Sequence, residues 1–243
     1  MAAGKHAHDC ANCPTRHTSD WRALTESELE LINSSKHTRV YEAGEALYHQ
    51  GDEAMGVHCI QSGLIGLRRL DAHGNSILLR LAPGGATVGY RAFLTKSEHR
   101  LTAEVLTPSV VCFIAKSLVS RLLGENPLLG ERFLQHCLSD MDDVESDYAR
   151  SLTHGLKARF LHVMVVFYER LGYRDDTGRQ TMDLPVRRTE IAELIGAQPE
   201  SVSRMIRDLQ NEGVLEFDKR RVVFRDMDRV LDDIGAGPDI GRG

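Results

Sequence analysis

Two sets of side chains in this 243-residue chain are spaced for chemistry rather than for packing. The first is Glu200, Ser203, Arg204 and Arg207, within TEIAELIGAQPESVSRMIRDL, which ends at Leu209. At helical spacing these four point outward, while Val202, Ile206 and Leu209, at i, i+4 and i+7, point inward. An arginine can bond two guanine acceptors at once, and a glutamate can accept from a cytosine amine. The second set is Cys10 and Cys13, in a Cys-x-x-Cys spacing close to His6, His8 and His17. Thiols so placed can switch to a disulfide, or complete a tetrahedral zinc site with two of the histidines.

The elements that must hold the first set are readable around it. Thr189 can cap a short helix whose apolar side is Ile191, Leu194 and Ile195. Gly196 tolerates positive φ at a turn, and Pro199 suits the first turn of a second helix. That is the spacing of a helix-turn-helix, whose second helix enters the major groove. An ordinary amphipathic helix pair with charged outer residues shares the same apolar spacing. Downstream, Gly213–Phe217 and Arg221–Phe224 read as a two-stranded wing, with Lys219 and Arg220 at its tip for phosphates. Arg187, Arg188 and Arg221 add further positive charge to this region.

Composition sets the class. The chain is 42% hydrophobic and 27% charged, as a soluble globular protein of one or two domains would be. No apolar run reaches the roughly 20 residues of a membrane helix, and MAAGKHAHDC lacks the apolar core of a secretory signal, so a cytoplasmic chain is expected. The formal net charge is −5, which leaves DNA binding to a local basic face. Residues 156–230 carry 14 Lys/Arg against 13 Asp/Glu, a local net of +1. Glu131–Arg150 carries six acids (Glu131, Asp140, Asp142, Asp143, Glu145, Asp147) against two bases. No G-x-S-x-G, Walker or H-E-x-x-H pattern is present, so an enzyme is not expected.

Residues 1–24, polar and rich in His and Cys, read as an irregular sensor tail rather than part of a core. A capping box at Thr25 and Glu28 opens a helix through Ile32. Residues 25–125 read as a β-domain, with short apolar runs (Val57–Ile60, Leu64–Leu67, Ile77–Leu81, Val110–Ile114) between glycine-bearing turns. Residues 126–155 form a long helix on which Leu134, Leu138, Met141, Val144, Tyr148 and Leu152 recur every three or four positions, a stripe fit for a second copy or for the β-domain. Residues 156–235 carry the helix-turn-helix and wing, and 236–243 form a polar, Gly-rich flexible tail. Cys59 and Cys137 are expected to pack as small hydrophobes, with haem ligation by His58 and Cys59 an alternative, and His136 is expected to face outward.

GLIGLRRLDAHGNSILLRLAPGG in the β-domain and TEIAELIGAQPESVSRMIRDLQNEGVLEF near the C-terminus resemble the CRP/FNR family of bacterial transcription regulators, over about residues 10–230. The resemblance implies an α+β chain: an N-terminal cyclic-nucleotide-binding-like β-roll, a long dimerisation helix and a C-terminal winged helix-turn-helix. It implies a homodimer on double-stranded DNA, reading a TTGAT-type inverted repeat, and contact with RNA polymerase through loops of the β-domain. Glu200 and Arg204 would read the G·C pair and Ser203 would pack on a thymine. In the cyclic-nucleotide branch a glutamate and an Arg-Ser pair hold the ligand. Here Tyr90 replaces the glutamate and Leu101 follows Arg100, which argues against cyclic AMP. Cys10, Cys13 and Cys112 resemble three ligands of the [4Fe–4S] cluster of the FNR branch, and Arg22 stands where relatives often carry a fourth cysteine. Asp9, His8, His17 or Asp20 could complete such a set; a cluster-free chain is the competing expectation.

Overall fold

A computed structural model describes residues 9–71 and 74–235. His6, His8 and the expected tail 236–243 therefore lie outside the described residues, as does His73 of the 71–75 turn. The described residues divide into two compact units that part between Asp142 and Asp143.

The first unit begins with two 3-10 turns, Arg16–Thr18 and Asp20–Ala23, and then α1, Glu26–Ser35. Helix α1 starts where the capping box predicts. The Glu28 amide donates to Thr25 Oγ1, and the Thr25 amide donates to Glu28 Oε2 at 2.8 Å. The segment before it is not the irregular tail expected from its polarity. Trp21 and Leu24 are buried, at 5% exposure each, and pack with Leu29, Ile32, Val57, Phe93 and Phe133. One buried tryptophan is enough to fix a polar segment to a core, since its ring removes a large apolar area from water.

The β-domain is one six-stranded antiparallel sheet: β1 (His37–Tyr41), β2 (Ala46–Tyr48), β3 (Gly56–Leu70), β4 (Ser76–Pro83), β5 (Thr87–Val88) and β6 (Thr102–Ala115). Its main path runs β1-β6-β3-β4, with β2 paired to β6 and β5 to β3. The runs Val57–Ile60 and Leu64–Leu67 belong to a single strand, not two. Register shifts between Ile60 and Ile65 let β3 bend without ending. Gly63 serves this bend, with φ +98 and a Cβ position that would fall 2.0 Å from Ser109 Oγ. The bend also divides the core. Val57 and Cys59 belong to a cluster with Ile114, whereas Ile60, Ile65 and Leu67 belong to another with Val88 and Val105.

A short α2 (Tyr90–Thr95) follows β5, and α3 (Lys116–Glu125), not anticipated from sequence, follows β6. The long helix α4 (Pro127–Thr153) starts one residue after Asn126. The Asn126 amide group donates to the Ala23 carbonyl and to Glu28, and its Oδ1 accepts from the Leu129 amide, so one side chain ties three segments together. Leu134, Leu138, Met141, Val144, Tyr148 and Leu152 are all more than half exposed along α4. Its acids are not all on that outer surface: Asp140 is 7% exposed.

The second unit holds α5 (Leu156–Leu171), β7 (Tyr173–Arg174), β8 (Gln180–Asp183), α6 (Arg188–Leu194), α7 (Pro199–Asn211), β9 (Leu215–Asp218), β10 (Arg221–Phe224) and α8 (Met227–Asp233). The wing is part of a four-stranded sheet ordered β7-β8-β10-β9, not an isolated hairpin. Phe160, Leu161, Met164 and Phe167 of α5 are fully buried in this unit. Among the described residues no helix is long and apolar enough to cross a membrane.

Candidate nucleic-acid interface and cysteine cavity

In the second unit, α6 and α7 meet across a turn in which Gly196 takes φ +61, a backbone conformation that L side chains rarely adopt. Thr189 does not cap α6. The helix begins at Arg188, its cap position is Arg187, whose amide donates to Glu190 Oε2 at 2.6 Å, and exposed Thr189 lies within the first turn. A glutamate three residues after the cap position replaces the hydroxyl contact that the sequence suggested. Pro199 stands in the first turn of α7, as its lack of an N–H favours.

Val202, Met205, Ile206 and Leu209 are buried on one side of α7. Glu200, Arg204 and Arg207 are exposed on the other, and Ser203 is half-buried between them. Among the described residues no side-chain partner holds Glu200, Arg204 or Arg207, so all three are available to a ligand. Lys219 and Arg220 form the two-residue turn between β9 and β10, both exposed, with Lys219 at φ +54. Arg188 is exposed and lies over the Phe217 ring at 5.6 Å. Arg221 donates to the Tyr173 hydroxyl, which accepts at 3.3 Å.

In the first unit, Cys10, Cys13, Cys59 and Cys112 line one cavity, together with Arg16, Ser19, Lys36, Gln61 and an apolar wall that includes Trp21, Leu29, Ile32 and Ile114. Cys59 on β3 and Cys112 on β6 are directly paired across the sheet. Thr38, opposite Cys112 on β1, holds its Oγ1 at 3.3 Å from Cys112 Sγ. Lys36 Nζ donates to Cys10 Sγ at 2.9 Å, and the Cys10 amide donates to Asn33 Oδ1 at 2.8 Å. Cys13 Sγ is 3.4 Å from Thr15 Oγ1. Burial, then the neighbouring Cys112, Cys13 and Cys10, push the Cys59 thiol well up. Burial likewise raises Cys112, with Thr38 and Lys36 opposing.

Other candidates for this site go elsewhere. Arg22 is exposed, donates to the His17 carbonyl and is not among the cavity residues. Asp9 is bonded to Asn33, Asn12 and the Ala11 amide, and Asp20 accepts from His136 Nδ1 at 2.8 Å. His17 is exposed. Among the described residues no three Cys, His, Asp or Glu donors converge on one point closely enough to hold a single ion. His136 does not face outward: it is half-buried between Asp20 and the Tyr90 ring. Cys59, expected from sequence to pack as a small hydrophobe, also lines this cavity. It lies 53 positions from Cys112, and only strand register brings the two together.

A model of the cyclic nucleotide-binding domain matches residues 38–126, and one of the Crp-like helix-turn-helix domain matches residues 158–232. A probable transcriptional activator from Rhizobium leguminosarum bv. viciae is 31% identical over 231 residues, 91% of each chain. The transcriptional activator protein FnrL from Cereibacter sphaeroides is 25% identical over 246 residues, 96% of this chain and 95% of its own. The chain belongs to the CRP/FNR family. Its fold agrees with that of TTHA1359, a CRP/FNR-family regulator from Thermus thermophilus, at a TM-score of 0.70 and 21% identity, covering 82% of this chain and 98% of that one. FixK2 from Bradyrhizobium japonicum gives 0.69 and 21%, over 81% and 96%. As a CRP/FNR protein the chain is a DNA-binding transcription regulator and not an enzyme.

Elsewhere in the first unit, one buried carboxylate gathers several polar partners. Asp140 of α4 pairs with Arg80 of β4, accepts from the Tyr90 hydroxyl, and lies 3.2 Å from Arg91 Nη2. His136 Nε2 is 3.8 Å from the same carboxylate. Tyr90, 1% exposed, fills the space beside Phe133. A buried protein carboxylate therefore faces two guanidinium groups, those of Arg80 and Arg91.

Proposed function

We propose that this CRP/FNR regulator reads a TTGAT-type inverted repeat as a homodimer and responds to oxygen or redox state through its cysteine cavity, without a cyclic nucleotide. The observation that carries the reading is the gathering of four of the chain's five cysteines around one cavity. Cys10, Cys13 and Cys112 fit an iron–sulfur cluster by donor chemistry, since such clusters are held by thiolates in a shielded, largely apolar setting. When bound, a [4Fe–4S] cluster supplies an oxygen-labile group whose loss changes the packing around it. A zinc ion held at about 2.3 Å per Zn–S bond needs its donors around one point; among the described residues no three Cys, His, Asp or Glu donors are so placed, and His6 and His8 lie outside those residues.

On the DNA side, exposed Arg204 and Glu200 on α7 would contact the G·C pair of each half-site, and Ser203 a thymine methyl. Two such helices, set about 34 Å apart by pairing of the α4 stripes, would read both half-sites. Exposed loops of the β-domain would then meet RNA polymerase, in the cytoplasm.

Fluorescence anisotropy on a TTGAT palindrome, without oxygen and after air exposure, tests the reading. Anaerobic protein should bind tightly and lose affinity in air. Arg204→Ala should lose about 1–3 kcal/mol of specific binding, about 5- to 150-fold. Equal affinity in both atmospheres would remove the sensing role, and unchanged binding by Arg204→Ala would remove the assigned readout.

A further inference from the structure

The proposed sensing role leaves one donor position open, because a cubane takes four protein ligands and the sequence pattern supplies three. The described alternatives are engaged or distant. Asp9 is held by Asn33, Asn12 and a backbone amide, Asp20 is held by His136, His17 is exposed, and Arg22 is outside the cavity. Cys59 is inside it.

We infer that Cys59 is the fourth thiolate ligand, completing a Cys10–Cys13–Cys59–Cys112 site for a [4Fe–4S] cluster. The inference rests on the cluster reading above and adds a residue to it. Three observations support the assignment. Cys59 and Cys112 are a direct cross-strand pair, and such residues on one face of a sheet hold their Cβ atoms about 5 Å apart. Both belong to the strand face beneath the core that Trp21, Ile32 and Ile114 build, whereas Ile60 turns to the other core cluster. The other two thiols come from a separate wall, the turn at Asp9–Cys13, anchored by Asn33 and Lys36 of the α1 end.

Two rigid strand ligands and two turn ligands therefore face a common space without converging on one point. That is the arrangement a polynuclear group needs, since each thiolate binds a different iron. Lys36, whose ammonium donates to Cys10 Sγ, places positive charge beside the anionic set.

The test is iron and acid-labile sulfide content, with the visible absorption spectrum, of the full-length chain purified and reconstituted without oxygen. Cys59→Val and Cys59→Ser are compared with Cys112→Ser and with Cys137→Ser, whose thiol is not among the cavity residues. The parent and Cys137→Ser should each hold about four iron and four sulfide per protomer. Both Cys59 variants should fall as far as Cys112→Ser, with far-ultraviolet circular dichroism unchanged. Valine suits an apolar strand position, so a merely structural Cys59 would be replaced by it with no loss of iron. Full iron in a folded Cys59→Val would overturn the assignment and leave the cluster reading intact. A parent chain that takes up no iron and sulfide would overturn the cluster reading, and the assignment with it.

Discussion

Replacing Asp140 with alanine should cost the N-terminal unit about 3 kcal/mol. The carboxylate is 7% exposed and faces Arg80, Arg91, the Tyr90 hydroxyl and His136. Removing one partner of a fully buried ion pair costs about 3–5 kcal/mol, because the charge left behind is desolvated without compensation. The two arginines here are not equally trapped. The Arg80 side chain is 24% exposed and Arg91 54%, so both can recover part of their hydration, which places the cost at the low end. Tyr90→Phe leaves the ion pairs intact and deletes the hydroxyl's bond to the charged acceptor, with the one it accepts from Arg91 Nε at 3.3 Å, a loss of about 1.5–3 kcal/mol. The double variant should cost less than the sum of the singles, since the groups share one network.

Urea unfolding followed by tryptophan fluorescence reads this unit selectively, because Trp21 is the chain's sole tryptophan and is buried in it. Protein concentration must be held fixed across variants if the chain dimerises. A loss below about 1 kcal/mol for Asp140→Ala would show that the network behaves like an exposed ion pair and would refute the reasoning.

Three further outcomes follow from other parts of the structure. Lys219→Ala and Arg220→Ala should weaken specific and non-specific DNA alike, each lowering the salt dependence of binding by about one unit of slope, and a base-specific loss at either would contradict a phosphate role. Leu138→Glu or Tyr148→Asp in the exposed stripe should give monomers by sedimentation, whereas Glu145→Ala should shift the balance towards dimers by removing like charge; unchanged mass in all three would exclude α4 as the pairing surface. Burial holds the His99 imidazole below its ordinary 6.5, with Asp52 opposing, so the folded state binds fewer protons than the unfolded one below that pH. Stability from this group is complete above about pH 6.5 and is lost as pH falls; His99→Phe, which keeps an aromatic ring stacked on Tyr48, should flatten that dependence in urea titrations at pH 7.5 and 5.5.

What could be read from the sequence was what repeats locally. The inner face of α7 and the exposed stripe of α4 both follow the helical period, and Pro199 and Gly196 mark turn positions whose backbone they suit. Most of the differences between expectation and structure have one physical origin, contact between residues distant in sequence. Polarity made residues 9–24 look unattached, yet Trp21 anchors them through Phe133 and through a hydrogen bond to Thr87. Asp140 reads in sequence as one more of the six acids between Glu131 and Arg150, because its partners lie 49 to 60 positions upstream. Cys59 reads in sequence as a small strand hydrophobe, and its place beside Cys112 is invisible there because that residue is on a strand that follows two intervening ones. Thr189 failed as a cap for a local reason: a glutamate at 190 lets the helix begin one residue earlier than the hydroxyl implied.

The same long-range contacts show how the cysteine cavity could speak to α4. Trp21 lines the cavity and also meets Phe133 edge-on, with ring centroids 5.6 Å apart. Asp20, one residue earlier, is bonded to His136, which in turn approaches Asp140. Phe133, His136 and Asp140 thus form an inner face of α4 fastened to the cavity's own segment and to Tyr90, while Leu134, Leu138 and Met141 form the exposed outer face. A change that loosens residues 10–21 would act on the inner face first. It would alter pairing through the outer face only if α4 has two positions with different inner contacts, because a signal shifts an equilibrium by no more than its differential affinity for the two states. The Trp21–Phe133 contact and the Asp20–His136 bond are the interactions that would have to differ between those positions. Severing each singly, by Phe133→Leu and His136→Phe, should change dimerisation without touching a cysteine, and no change in either would separate the cavity from the helix.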